Sequence, residues 1–224
     1  MRLTDMPRFV EGEHSIGLFE ELVCRGVGTV HLVSGPNPHL VVIGPEERVN
    51  RVVVRYRGMR LVVAFRVGPN PMAVIQEGGD QLRVVITTDA VAKVVAQGFA
   101  SVRLGESEIR PLTSESLRIV NSGSGRITGD VSCDHVDVRL RGVGGVSLGG
   151  DASKLNARLS GVGSFESGDL VARRARVAVN GMGSARVMVL DELVGSVSGA
   201  GSLSYRGSGL LVARGQAERI HYLE

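Results

Sequence analysis

The sequence has little of the material from which most binding and catalytic sites are built. Its 224 residues include no tryptophan, 4% aromatic residues and two cysteines. So few aromatic side chains leave little surface on which bases or sugars can stack. Charge is nearly balanced, with 26 Lys and Arg against 23 Asp and Glu, and a net charge of +3. Because this mild excess is spread over the whole chain, we expect no nucleic-acid partner.

Long apolar runs and clusters of metal ligands are also missing. No stretch approaches 18 uninterrupted apolar residues, so we expect no membrane span. Residues 1–17 have no apolar run after their basic start, which predicts an irregular lead-in and not a signal peptide. The histidines are scattered, and Cys24 and Cys133 form no C-x-x-C pair. We therefore expect no metal and no cofactor, with two buried free thiols favoured over a disulfide.

Glycine, by contrast, is abundant and periodic. A Gly-x-Gly corner flanked by small residues occurs five times at nearly constant spacing. A fixed period of about 19 residues indicates a repeat architecture. The predicted corner glycines are Gly123, Gly125, Gly142, Gly144, Gly161, Gly163, Gly181, Gly183, Gly199 and Gly201. Two reasons for glycine remain open: a sharp turn with positive φ, or corners that approach too closely for side chains.

The residues around each corner alternate between apolar and polar. Counted from the first glycine, positions −6, −4, −2 and +4 are mostly apolar, and the positions between them carry Arg, Asp, Asn and Ser. This period of two predicts strands with one buried face. About 60 Å of extended chain per unit suits one turn of a β-helix, and the leucine-rich, propeller and calcium-binding repeats do not fit. The sequence predicts an all-β, right-handed parallel β-helix with turns of about 19 residues.

The repeats suggest how the rest of the chain is divided. After the lead-in over residues 1–17, we expect one domain over 18–224. It begins with less regular strands over 18–104 and continues with an insertion loop over 105–114. Regular repeats over 115–209 and a C-terminal cap over 210–224 complete it, because an open end of a repeat stack invites edge association.

With these residues laid out, the chain resembles the putative auto-transporter adhesin, head GIN domain family of bacteria. The resemblance runs from about Ile16 to Gly209 and rests on the opening strand pair through Val33, the recurring apolar-x-Ser-Gly-x-Gly-Ser and the closing Ser204-Tyr205-Arg206-Gly207. It implies a right-handed β-helical domain in an exported or surface-attached envelope protein, with no catalytic residues to carry over. The chain departs from the family pattern in two places. Its start shows no signal peptide or lipoprotein cysteine, and Gly98-Phe99-Ala100 lacks the second glycine of the corner.

One set of outward positions could carry a binding surface. The turn-to-turn columns at −5 and −3 bring together Arg118, Asp137, Arg139, Arg158 and Arg176. Such a set is more typical of a solvated face with compensating charges than of a catalytic site. Enzymes that cleave acidic polysaccharides use a carboxylate and basic residues on one face, so a lyase or hydrolase is an alternative.

The sequence thus favours a non-enzymatic protein of the cell envelope, an adhesin or assembly scaffold that binds a protein or glycan of unknown identity. Polysaccharide lyase or hydrolase activity is the first alternative, and an intracellular scaffold that self-associates through its ends is the second. Family resemblance favours an envelope or extracellular location, and the lack of a recognisable export signal leaves a cytoplasmic one open.

Overall fold

The computed structural model describes residues 9–66, 82–89, 91–106 and 110–223. The predicted all-β class is confirmed, with an open sheet that does not close into a barrel. The strands are β1 (Phe9–Ser15), β2 (Glu21–Val33), β3 (His39–Pro45), β4 (Val52–Arg57), β5 (Arg60–Phe65), β6 (Arg83–Thr87), β7 (Lys93–Leu104), β8 (Leu112–Asn121), β9 (Arg126–Leu140), β10 (Gly145–Leu159), β11 (Ser164–Val179), β12 (Ser184–Val197), β13 (Ser202–Arg206), β14 (Leu210–Gly215) and β15 (Ile220–Tyr222). The described helical elements are α1 (Glu46–Val49) and a 3-10 turn, Ala217–Arg219.

From β7 to β15 the neighbouring strands are all parallel, and their register follows the sequence period. Leu117 of β8 pairs with Val136 of β9, which pairs with Leu155 of β10. The same column continues through Ala175 of β11 and Leu193 of β12. Each of these steps advances the chain by one sequence period. Equivalent residues of successive repeats therefore lie side by side, about 4.8 Å apart.

The core consists of these inward columns. Members of the −6, −4 and −2 columns are buried, as the alternation of apolar and polar residues predicts. The core continues without interruption from the N-terminal strands to the last repeat. Because each inward side chain packs against its equivalents in the neighbouring repeats, the repeats share one core.

The structure distinguishes the two reasons for glycine at the corners, a positive φ or a close approach of neighbouring corners. Of the ten, only Gly199 has a positive φ, of 98°. A Cβ at Gly142 would overlap the carbonyl oxygen of Gly123, and a Cβ at Gly161 would overlap the carbonyl oxygen of Gly142. The other corner glycines approach the preceding corner in the same way. Close approach, and not backbone conformation, is therefore the main reason for glycine at these corners.

Hydrogen bonds join the corners that approach so closely. The N–H of Gly144 donates to the carbonyl of Gly123 at 3.1 Å, and the N–H of Val162 donates to that of Gly142 at 3.2 Å. The N–H of Met182 continues the series to the carbonyl of Gly161, also at 3.2 Å. A side chain at a corner glycine would force these backbones apart and break this ladder.

A single polar residue interrupts the inward −2 column. Asn121 is 1% exposed where the following repeats have Leu140 and Leu159. Its Nδ2 donates to the carbonyls of Gly125 at 2.8 Å and Gly145 at 3.1 Å, and its Oδ1 accepts from the N–H of Gly123 at 3.1 Å. The amide therefore connects the first two corners from inside the core.

The N-terminal strands are less regular and partly antiparallel. β1 pairs antiparallel with β3, β3 with β6, and β4 with β5, while β2 is parallel to β5, β6 and β7. β1 lies within the lead-in that was expected to be irregular. It forms because the backbone of β3 offers an edge to pair with, and pairing of this kind leaves little trace in a hydrophobic pattern.

Two of the predicted segments, the insertion loop and the C-terminal cap, contain strands in the structure. β8 begins at Leu112, inside the range predicted as an insertion loop, and residues 107–109 of that loop lie outside the described residues. In the predicted cap, β14 pairs with β12 and β15 pairs with β13. These short strands extend the sheet beyond β12 and β13 as parallel neighbours. No helix in the described part of the chain has the length and hydropathy needed to cross a lipid bilayer.

Candidate functional site

The predicted outward residues line up across neighbouring strands. Arg118, Asp137, Asn156 and Arg176 are register partners from β8 to β11 and form one row. Arg139 and Arg158 are partners in the next row of the same face, two residues further along the strands. Sequence spacing therefore identified a row of polar side chains that the strands hold about 4.8 Å apart.

Asp137 is the centre of this face. Its Oδ2 lies 2.9 Å from Arg118 Nε and 3.3 Å from Arg139 Nη2, and its Oδ1 accepts from Asn156 Nδ2 at 3.4 Å. The side chains of Arg118, Asp137 and Arg139 are 50, 20 and 35% exposed. Ion pairs this open to solvent contribute at most about 1 kcal/mol each, so they orient side chains more than they stabilise the fold.

An open groove of about 450 Å³ runs along the row beside Asp137. Sequence reasoning missed several of its lining residues, which form a further row of register partners on the same face. These residues are His135, Lys154, Arg174 and Glu192. They occupy position −7 of each repeat, so continuing the alternation one step beyond −5 would have found them.

Much of the positive charge in this groove is uncompensated. Lys154, Arg174 and Arg176 line it without an ion pair to any residue that the structure describes. Arg158, in the neighbouring row, is equally unpaired among those residues. The Oδ1 atom of Asn156 is buried there and has no hydrogen-bond partner in the described set. The groove can therefore bind a polar group that carries both an anionic substituent and a hydrogen-bond donor.

The carboxylates of the groove are poorly placed for hydrolysis of a glycosidic bond. Asp137 of β9 and Glu192 of β12 lie on strands three steps apart, which is about 14 Å at the usual strand spacing. The paired carboxylates of glycosidases are about 5–9.5 Å apart. Asp137 is moreover held between two arginines. This geometry favours a charged surface over a two-carboxylate catalytic pair.

Neither cysteine lies in this groove, and both are buried free thiols. Burial raises the pKa of Cys24 far above its usual value. Burial raises the pKa of Cys133 from 9.0 to about 11; a hydrogen bond with the Ser114 backbone opposes this, and the charges of Asp151 and Asp134 add to it. Among the described residues, no group of three or more His, Cys, Asp or Glu side chains is arranged to hold a metal ion.

The raised pKa values lead to a prediction about thiol reactivity. Only the thiolate reacts, so the raised pKa should slow alkylation of Cys133 at pH 8 about a hundredfold relative to the unfolded chain, and Cys24 should react more slowly still. The rates are measured by mass spectrometry with and without urea, and a Cys133→Ser variant assigns the two sites. Reaction of native Cys133 at the unfolded rate would contradict its burial.

Known proteins provide an independent comparison with this geometry. A family model described as "Putative auto-transporter adhesin, head GIN domain" matches residues 18–209. No protein of curated function matches the chain.

Several solved structures are similar over nearly their whole length. A putative adhesin from Bacteroides fragilis has a TM-score of 0.81 at 21% identity, and the match covers 97% of each chain. A putative adhesin from Parabacteroides distasonis has a TM-score of 0.71 at 17% identity, with coverage of 96% of this chain and 97% of that one. A putative lipid binding protein from the same organism has a TM-score of 0.68 at 16% identity and the same coverage. At these identities the likeness concerns the fold.

Proposed function

The chain belongs to the putative auto-transporter adhesin, head GIN domain family, and from this premise we propose that it is a non-enzymatic surface protein of the bacterial envelope. Its role is adhesion or assembly, and it binds a protein or glycan through the groove that Asp137 borders. The observation that carries this proposal is the register of the outward rows, which sets polar side chains in a fixed array along one face.

We further propose that the domain over 18–224 forms one right-handed parallel β-helix, with turns of about 19 residues as in other short-period repeat proteins. The advance of one sequence period per paired strand supports the turn length. The contacts between successive corner glycines support direct stacking of the turns. The right-handed sense follows from the general preference of parallel crossover connections.

A rigid array of this kind suits binding by many weak contacts. The lining side chains stand on paired strands and not on loops, so little backbone conformational entropy is lost when a ligand binds. Several cations in one groove, without ion pairs to the described residues, also raise the rate of encounter with an anionic surface. Both effects are useful to a protein that attaches to an extended surface.

Charge reversal in the groove tests this function. We expect the double variant Arg174→Glu/Arg176→Glu to weaken binding to a ligand identified on glycan and matrix-protein arrays at least tenfold, because it replaces attraction with repulsion in the centre of the groove. Arg206→Glu, an exposed position on β13 outside the groove, is the matched control and should bind like the unmodified chain.

Two results would overturn the proposal. Unchanged binding by the double variant would remove the groove from the function, and release of unsaturated or reducing sugars from pectin or alginate would make the protein an enzyme. Light scattering on the same samples tests the self-associating scaffold, since the proposed role does not require assembly through the ends of the repeats.

A further inference from the structure

A second, smaller groove lies on the N-terminal strands, outside the site described above. It has a volume of about 170 Å³ and is lined by side chains of β2, β4 and β5 and by the residue after β5. Its lining is unusual in composition, since five of its eight residues are arginines. These lining residues are Arg25, Arg55, Arg57, Arg60 and Arg66, together with Val53, Val62 and Ala64. We call this feature the arginine groove.

Strand register explains why arginines so distant in sequence meet here. Arg57 of β4 is paired with Arg60 of β5, and Arg55 is paired with Val62. Arg25 of β2 is paired with Ala64 of β5. Directly paired residues share one face of a sheet, so these side chains rise from the same surface. Arg66 follows at the end of β5, where its N–H donates to the Arg51 carbonyl at 3.0 Å.

One of the five arginines has an acidic partner among the described residues. Arg60 Nη2 lies 2.9 Å from Glu21 Oε2, and Lys93 Nζ lies 3.0 Å from Glu21 Oε1. Burial alone would raise the pKa of Glu21, but hydrogen bonds and charge from Lys93 and Arg60 outweigh it and lower that pKa. Glu21 is thus fully occupied as a partner and remains ionised.

The other four arginines have no such partner in the described part of the chain. Arg25, Arg55, Arg57 and Arg66 form no ion pair with any described residue, and the groove's described lining contains no acidic side chain. Four like charges held around one small space repel each other, and an anion placed between them relieves that repulsion. Guanidinium groups bind carboxylate, sulfate and phosphate oxygens with paired hydrogen bonds.

The floor of the groove restricts which anion fits. Val53 and Ala64 are register partners, and Val62 lies next to them, so the base is apolar while the rim is cationic. A free inorganic anion would leave that floor without a partner. The volume is close to that of a cavity of about 150 Å³ that holds one benzene ring, so the groove admits one ring-sized portion of a ligand and would leave most of an acyl chain in water.

From this combination we propose that the arginine groove binds an acidic sugar, one ring of a uronate, sulfated or phosphorylated glycan. The C–H face of the ring covers Val53, Val62 and Ala64, and the anionic substituent bonds to the guanidinium groups of the rim. The described residues that line the groove include no aromatic side chain, so stacking of a nucleic-acid base is not favoured. The groove is open at the surface, which lets a polymer continue on either side of the bound ring.

The site is tested by calorimetric titration with an oligogalacturonate and, as the matched neutral probe, its methyl ester. We expect the acid to bind and the ester to bind at least tenfold more weakly, with affinity for the acid falling as salt is added. The double variant Arg55→Gln/Arg57→Gln should lose at least tenfold in affinity for the acid, whereas Arg206→Gln should keep it. Urea unfolding of each variant verifies that the fold is retained.

The inference fails if acid and ester bind equally, if neither binds, or if the double variant binds like the unmodified chain. If inorganic phosphate, or vesicles containing phosphatidic acid, bound as tightly as the oligogalacturonate or more tightly, the assignment to a sugar would be overturned. The inference goes beyond the proposed adhesion role. Repeating the titration in the Arg174→Glu/Arg176→Glu background removes the cationic contribution of the first groove, so a loss caused there by Arg55→Gln/Arg57→Gln reports the arginine groove alone and the two proposals can fail separately.

Discussion

Replacing the corner glycine Gly142 with alanine is expected to lower the free energy of unfolding by about 3 kcal/mol or more. The new Cβ would overlap the carbonyl oxygen of Gly123 and crowd its backbone nitrogen and carbon. The obstacle is the backbone of the neighbouring corner, which cannot rotate away as a flexible side chain can. The two corners must separate instead, and the hydrogen bond from the N–H of Gly144 to the carbonyl of Gly123 is then strained or lost.

The expected loss of stability is informative because glycine-to-alanine substitutions at unhindered sites usually raise stability. At an unhindered site, Gly→Ala stabilises a protein by about 0.4–1 kcal/mol by restricting the unfolded chain. Gly168 offers the matched control, since a Cβ there would make only ordinary contacts with the flexible side chain of Arg186. Urea unfolding should give Gly168→Ala a midpoint near or above that of the parent and Gly142→Ala a much lower one. Equal midpoints would contradict the close approach of the corners.

The second large effect is expected from Asn121→Leu, which makes the first repeat match the next two. Leucine occupies the equivalent positions 140 and 159, so a consensus argument predicts a gain in stability. The hydrogen bonds predict a loss. The substitution leaves the N–H of Gly123 and the carbonyls of Gly125 and Gly145 without the partner that Asn121 provides. Each buried unsatisfied group costs about 1–3 kcal/mol, so a loss of about 3 kcal/mol is expected after allowing for the added apolar contact.

This second prediction is measured by the same urea titration. Ser122→Ala is the control, because Ser122 is exposed and its hydroxyl donates a long hydrogen bond of 3.4 Å to the Ala96 carbonyl. We expect its free energy of unfolding to change by less than about 0.5 kcal/mol. A midpoint for Asn121→Leu at or above that of the parent would mean that the consensus argument is correct. It would also mean that the three hydrogen bonds contribute little.

The strand pattern was readable from the sequence wherever one repeat constrains the next. The inward column of Leu117, Val136 and Leu155 and the outward row of Arg118 and Asp137 both followed from period-2 alternation plus a fixed repeat length. Position −7 follows from the same alternation, two residues before position −5.

Other features depend on contacts that no local pattern encodes. Alternation does not distinguish parallel from antiparallel pairing, so the pairing of β1 with β3 was not foreseen. Asn121 looked like an exception in an apolar column until its three backbone partners could be seen. The arginine groove joins Arg25 to residues 55–66 through strand pairing, and such distant residues meet only after folding.

We infer that each sequence repeat advances the structure by one strand. Spin–spin distances test it most directly, with one label at Val212 and the second at Asp137, Arg118 or Lys93, each as cysteine variants. Asp137, Arg118 and Lys93 lie in one row with Val212. They are four, five and six strands away from it, respectively. The buried, slowly reacting Cys24 and Cys133 should stay unlabelled at neutral pH.

We predict backbone separations of about 19, 24 and 29 Å, so that the measured distance rises by about 5 Å for each strand added. The flexible label linkers broaden each distribution without removing this step. Equal distances from Val212 to positions 137 and 118, or a distance to position 93 shorter than either, would contradict the stacking of successive repeats.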